Sequence, residues 1–134
     1  MIISIVIRTL NEEEYLGELL EMIASQELAG NNEVETVLID SGSTDRTLEI
    51  AREFNCKITY IEKSKFSFGR SLNMGSDYSS GDILVYVSGH CVPKNSLWLN
   101  HLIAPLLDGS VDYVYGKQVG RDKTKYSEER FFEK

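Results

Sequence analysis

Apolar residues arrive in two alternating patterns along this chain. Five short runs are rich in Ile and Val: Ile2–Ile7, Thr36–Ile39, Lys57–Ile61, Ile83–Val87 and Val111–Tyr115. Several are apolar at consecutive positions, so both faces need cover, as in strands with helices on each side. Between the runs, apolar positions recur every three or four residues. Glu13–Ser25 sets Tyr15, Leu16, Leu19, Leu20 and Ile23 on one stripe with glutamates opposite, the pattern of an amphipathic helix. Asp45 stands where it can cap a helix through Leu48, Ile50, Ala51 and Phe54. Arg70–Tyr78 predicts a third helix. Asn95 is placed to cap a fourth through Trp98, Leu102 and Ile103, with Pro105 bending or ending it. A last helix is expected near Ser127.

Strand–helix alternation of this kind predicts an α/β fold with parallel strands joined by right-handed crossovers. Ligands of such sheets bind beyond the carboxyl ends of the strands. Three polar segments stand there: Arg8–Glu12, Asp40–Asp45 and Ser88–Pro93.

Composition narrows the ligand. With 134 residues, 42% of them hydrophobic, the chain is sized for one domain over residues 1–134. Its net charge of -7 argues against a nucleic-acid partner, which needs a basic stripe. A phosphate-bearing ligand would have to be met locally, by a metal, helix N-termini or a few cations. Cys56 and Cys91 are the two cysteines, and Met1–Ile7 is too short, and lacks the basic flank, for a signal peptide or membrane span. Reduced thiols and a cytoplasmic location are therefore expected.

Two strand-end segments carry the chemistry. Asp40 closes an apolar strand, where a carboxylate is desolvated and needs donors; a ribose diol or a base N–H would supply them. Asp45, by contrast, reads as a helix cap. In the first segment Thr9, Asn11 and Glu12 would lie beside Asp40 if the first two strands are neighbours. Asn11 is also placed to cap the following helix, with Glu13 and Glu14 favouring its positive end.

Taken together, four segments resemble the family 2 glycosyltransferases. They are Thr9–Glu12 after the first strand, Asp40–Asp45 after the second, Phe68–Gly75, and Gly81–Val87. They stand in order, at family-like spacing, over nearly the whole chain. The resemblance implies the GT-A fold, a mostly parallel Rossmann-like sheet, and inverting transfer of a sugar from a nucleoside diphosphate to an acceptor hydroxyl. It implies a nucleoside pocket lined by Thr9, Asn11, Glu12, Asp40 and Ser41, with Arg70 and Asn73 on a segment that closes over the nucleotide.

After the fourth strand the family usually carries Asp-x-Asp, which holds a divalent metal on the diphosphate. Here Ser88 takes the first acidic position, Gly89 the middle and His90 the second. A cation about 4 Å from the leaving diphosphate is worth on the order of 4 kcal/mol at an effective dielectric near 20. His90 is accordingly the candidate metal ligand, with Mn2+ suited better than Mg2+ to an imidazole nitrogen. The run Tyr115–Arg121 resembles the family's strand leading toward the acceptor half. The catalytic base is placed downstream of it, so the chain is expected to stop before the acceptor-binding part, with the base unassigned. A sugar or lipid-linked acceptor, polysaccharide assembly and peripheral membrane association are implied at family level.

Other classes fit less well. A non-catalytic nucleotide-sugar-binding module acting with a partner chain would tolerate the missing base and the altered metal motif. A dinucleotide oxidoreductase would need a G-x-G-x-x-G run after the first strand, and that is absent. A phosphoacceptor receiver would need an acidic cluster at the end of its first strand.

Overall fold

The computed structural model describes residues 1–112, apart from the side chain of Phe68. Strand β1 (Ile2–Thr9) leads to helix α1 (Leu16–Ala24), then β2 (Glu33–Asp40), α2 (Thr47–Glu53), β3 (Lys57–Tyr60), α3 (Phe68–Tyr78), β4 (Ile83–Ser88) and α4 (Trp98–Leu107). A single 3-10 turn, Lys63–Lys65, precedes α3. The four strands form one sheet in the order β3-β2-β1-β4, with every pair parallel. The whole sheet lies in a compact unit, Met1–Trp98, and a second unit begins at Leu99.

Strand position follows from apolar content. β1 buries every residue from Ile3 to Ile7, as a central strand covered on both faces must. Its neighbour β2 is buried over Val37–Asp40 but open at its start. β4 alternates, with Val85 buried while Leu84 and Tyr86 are exposed, as befits an edge.

The two faces take different cover. Side chains alternate along a strand, so Ser4, Val6, Glu35, Val37 and Ile39 share one face. There α3 crosses β1 and β2, and Met74 packs on Val6, Val37, Ile39 and Ile61. Gly75 permits this approach. A Cβ at that position would lie 2.4 Å from Val6 Cγ1 and 2.5 Å from Ile39 Cδ1. Crossovers running the other way bring α1 and α2 together on the opposite face, burying Leu16, Leu19, Leu20, Ile23 and Ala51.

The amino end of the sheet is tied by one carboxylate. Glu35 accepts Ser4 Oγ at 2.6 Å, Ser80 N–H at 2.9 Å, Ser80 Oγ at 2.9 Å and Lys57 Nζ at 2.9 Å. Lys57 Nζ also donates to the carbonyl of Tyr78, at 2.8 Å. Burial alone would raise the Glu35 pKa, but these bonds outweigh it and hold the carboxyl at about 2. The network fixes the end of α3 and the turn into β4.

Boundaries moved for local reasons. Helix α1 starts at Leu16 rather than Glu13, because Glu13 and Glu14 sit in a turn ahead of it. Helix α3 starts two residues before Arg70, capped by Ser67, whose hydroxyl accepts the Arg70 N–H at 3.1 Å. Helix α4 starts at Trp98 rather than just after Asn95. Asn95 Oδ1 takes the Leu97 N–H at 2.9 Å in a turn ahead of the helix, and Pro105 lies within a helix that runs on to Leu107. The expected strand Val111–Tyr115 runs past the last described residue, and the helix expected near Ser127 lies outside the described residues.

Candidate functional site

The register aligns the strand ends. Thr9 pairs with Asp40, Asp40 with Tyr60 and Arg8 with Ser88, so all four strands finish on one line. The chain passes from β1 to β2 on one side and arrives at β4 on the other, which makes the β1–β4 boundary a topological switch point, where open α/β sheets bind ligands.

Below that line lies a buried brace. Asp40 is 1% exposed and Thr9 4%. Asp40 Oδ1 accepts the hydroxyls of Thr9 at 2.8 Å and of Ser43. Asp40 Oδ2 accepts the backbone N–H of Gly42 at 3.0 Å and of Ser43 at 2.8 Å. A carboxylate offers about four acceptor sites, and the chain fills them. The donors that the sequence reading sought in a ribose or base thus come from the loop itself, which Asp40 folds into an Asx-type turn with Gly42 at φ 115°. Ser41, also buried, donates its N–H to the Thr9 carbonyl at 3.1 Å.

Above the brace, the loops after β1 and β2 are stitched together. Asn11 donates its N–H to Ser43 Oγ at 2.9 Å and accepts the Thr44 N–H on Oδ1 at 2.8 Å. It does so in the left-handed region, at φ 51°, which asparagine tolerates. Asn11 therefore bridges two loops instead of capping α1. Glu12 N–H donates to Thr47 Oγ1 at 2.8 Å, and Glu13 N–H to Asp45 Oδ2 at 3.2 Å. Asp45 Oδ1 accepts the Thr47 N–H at 2.9 Å. It serves the start of α2 as expected, from one residue ahead of the assigned cap, Arg46. Burial acts to raise the Asp45 pKa, but the bonds from Thr47 and Glu13 outweigh it and hold it below the usual carboxylate value. Ser43 and Thr47 escaped sequence reasoning because hydroxyls in a loop or at a helix start carry no periodic signal.

The end of β4 meets the end of β1. Arg8 Nη2 donates to Ser88 Oγ at 3.0 Å, on the α3 side of the sheet, whereas Thr9 and Asp40 point to the α1–α2 side. Burial lowers the Arg8 pKa, with neighbouring Cys91 acting against it; a guanidinium still stays charged. Arg8 is thus a half-buried cation at the switch point, and an Arg ending an apolar strand was the signal for it. Gly89 is buried in contact range of Glu12 and Thr9. A Cβ there would lie 2.9 Å from Glu12 Cγ, 3.0 Å from Thr9 Cγ2 and 3.1 Å from the Arg8 carbonyl oxygen. Just beyond, His90 Nδ1 stands 3.6 Å from Glu12 Oε1. Among the described residues no three His, Cys, Asp or Glu side chains converge as a metal cluster. Cys91 is half-buried.

The structure therefore brings Thr9, Asn11, Glu12, Asp40, Ser41, Ser88, Gly89 and His90 to one edge. Arg70 and Asn73 are exposed on α3, and Arg70 Nη1 donates to the Lys65 carbonyl at 3.4 Å. Phe66 is exposed. No described helix is long and apolar enough to cross a membrane.

The family model described as glycosyl transferase family 2 matches residues 4–132. The chain belongs to that family. Among family 2 relatives it is 32% identical to glycosyltransferase AglE of Haloferax volcanii over 119 residues, covering 85% of this chain and 38% of AglE. It is 33% identical to the 4,4'-diaponeurosporenoate glycosyltransferase of Staphylococcus haemolyticus, covering 75% of this chain and 27% of that protein. The chain thus spans well under half the length of these relatives. Staphylococcus aureus TarS, a poly(ribitol-phosphate) beta-N-acetylglucosaminyltransferase, has been solved as residues 1–349 in complex with UDP-GlcNAc. That structure superposes with a TM-score of 0.78 at 26% identity, covering 93% of this chain and 36% of TarS 1–349. Glucosyl-3-phosphoglycerate synthase from Mycobacterium tuberculosis, in complex with Mn2+, UDP and glucosyl-3-phosphoglycerate, matches with a TM-score of 0.65 at 28% identity, over 78% of this chain and 39% of that one. The parallel sheet of this family 2 chain is the GT-A sheet.

Proposed function

We propose that the chain is the donor-binding part of an inverting glycosyltransferase, holding a nucleoside diphosphate sugar across the ends of β2, β1 and β4. The observation that carries this is the division of labour along that edge. Thr9, Asp40 and Ser41 are buried and occupied with one another, while Asn11, Glu12, Ser88 and His90 stand above them with exposed or half-exposed polar groups. A rigid floor with a polar rim, at a switch point, suits a ligand with one base, one ribose and two phosphates.

On this reading Asn11 and Glu12 face the nucleoside, and the loop set by Asp40 forms its wall. Ser88 and Gly89 face the diphosphate, with Arg8 supplying positive charge nearby. Arg70 and Asn73 close over the nucleotide from α3. A divalent cation at His90, when bound, would neutralise charge gathering on the leaving diphosphate. Inversion then requires in-line attack by an acceptor hydroxyl whose proton goes to a base; no described residue is assigned that role. The UDP-GlcNAc and UDP bound to the structural neighbours support a UDP-sugar donor. The poly(ribitol-phosphate) in the name of TarS supports a sugar-polymer or lipid-linked acceptor in cell-envelope assembly, used at the inner face of the membrane.

A thermal-shift screen of UDP, GDP, CDP and dTDP, each with Mn2+, Mg2+ or EDTA, tests the donor reading. A nucleotide at a hundredfold excess over Kd stabilises the folded state by about 2.7 kcal/mol. Absence of stabilisation by all four would defeat it.

A further inference from the structure

The turn between β3 and α3 is locally basic in an acidic chain. Residues 63–76 hold Lys63, Lys65 and Arg70 and no Asp or Glu, whereas the whole chain has a net charge of -7. Exposed acids gather across the sheet from α3, as Glu18 and Glu21 on α1 and Glu49 and Glu53 on α2. Every residue from Glu62 to Ser67 is exposed, and Phe66 stands 37% open beside the lysines. The turn is already built. Lys65 N–H donates to the Glu62 carbonyl at 2.9 Å and Phe66 N–H to the Lys63 carbonyl at 3.2 Å. From α3, Arg70 Nη1 donates to the Lys65 carbonyl at 3.4 Å, which draws a third cation to the same place. Lys65 Nζ meets Glu62 at 3.7 Å, but these side chains are 67% and 71% exposed, and such a pair is held weakly. Ile61 N–H bonds to the Asp40 carbonyl at 2.9 Å, so the turn rises from the same sheet edge as the donor site.

We propose that Lys63, Lys65 and Phe66 form a docking surface for the anionic face of a phospholipid bilayer. Charge complementarity selects that partner. A bilayer presents many phosphates in one plane, so separate exposed lysines engage it together, each strengthening binding about fivefold. A nucleic acid would ask for a longer basic stripe. The acids elsewhere do not cancel the attraction, because charges more than about 8 Å from the surface are largely screened at physiological salt. Phe66 adds an aromatic ring of the kind that settles at headgroup level. The preformed turn loses little freedom on docking. Seated in this way, the strand ends face the bilayer, where a lipid-linked acceptor would lie. That orientation rests on the donor-site reading; the contact itself does not.

The test is cosedimentation of the full chain with vesicles of phosphatidylcholine alone and of phosphatidylcholine mixed with phosphatidylglycerol, at low and high salt, alongside calorimetry of UDP. The expected result is binding to the anionic vesicles at least about tenfold tighter than to the neutral ones, and mostly lost at high salt. Lys63→Glu combined with Lys65→Glu should weaken it by at least about tenfold, and Phe66→Ser by about threefold. UDP affinity and the melting temperature should stay unchanged in these variants. Equal binding to the two kinds of vesicle, binding to neither, or equal binding by the charge variant and the natural chain would overturn the surface. A short RNA or DNA duplex that displaces the chain from anionic vesicles at comparable concentration would put a nucleic acid in the membrane's place. A tenfold loss of UDP affinity in the charge variant would move the turn into the donor site instead. Failure of UDP and the other three diphosphates to bind, with vesicle binding retained, would defeat the donor reading and leave the surface standing.

Discussion

Replacing Asp40 by asparagine separates a brace from a ligand contact. The carboxylate accepts four hydrogen bonds, two from backbone N–H groups on Oδ2 and two from hydroxyls on Oδ1. Asparagine keeps one oxygen, which must face Gly42 and Ser43, because their N–H groups can only donate. Its NH2 then faces the hydroxyls of Thr9 and Ser43, which can turn to accept. Thr9 has an outlet for its proton in the Ile39 carbonyl, 3.5 Å away. The geometry survives and the charge is lost. Charge-assisted bonds contribute about 1 kcal/mol more than neutral ones, so four of them lose about 4 kcal/mol. Relief from burying a charge offsets part of this, leaving a net destabilisation of about 1–3 kcal/mol. Urea unfolding reads that loss as a lower midpoint at unchanged slope. Calorimetry with UDP, well below the midpoint, should show affinity within about threefold of the natural chain, a change under 1 kcal/mol. Natural stability in the variant would refute the brace. Natural stability with a tenfold or greater loss of UDP affinity would instead make Asp40 a direct ligand of the nucleotide, as the family resemblance implies.

Three further outcomes follow from the same contacts. Glu35, held at about 2 against an ordinary 4.5, contributes stability that is complete above pH 4.5 and is lost as pH falls toward 2. Glu35→Gln should therefore flatten the pH dependence of urea midpoints in that window and cost about 2–3 kcal/mol at pH 7, and parallel curves for the two proteins would contradict the network. Gly75→Ala drives a methyl against Val6 and Ile39 and should destabilise by about 1–3 kcal/mol, read by thermal melting; an unchanged melting temperature would mean that α3 is not pinned to the sheet. Gly89→Ala drives a methyl against Glu12, Thr9 and the Arg8 carbonyl and should destabilise by a similar amount; an unchanged melting temperature would mean that the turn after β4 is not packed on the end of β1.

The sequence alone settled the layout. Consecutive Ile and Val in Ile2–Ile7 can only be buried on both faces, and the stripe Leu16, Leu19, Leu20, Ile23 can only be a helix laid on that sheet. Burial and periodicity are local properties, so both were legible, and so were the three strand ends where polar residues interrupt apolar runs. Tertiary structure decided what those polar residues do. Asp40 and Thr9 looked like groups awaiting a ligand, but they satisfy one another across adjacent strands, a pairing that exists only once register sets Thr9 opposite Asp40. Asn11 looked like the cap of its own helix, but it bonds to Thr44, thirty-three residues on. Glu12 and His90 lie in loops from strands far apart in sequence and adjacent in the sheet, and Gly89 between them shows its importance only as the space a Cβ would fill. Hydrogen bonds between loops carry no period, and a close approach leaves no mark on a single sequence. That is why the fold could be read along the chain, while the chemistry of its edge emerged only when β1, β2 and β4 were set side by side.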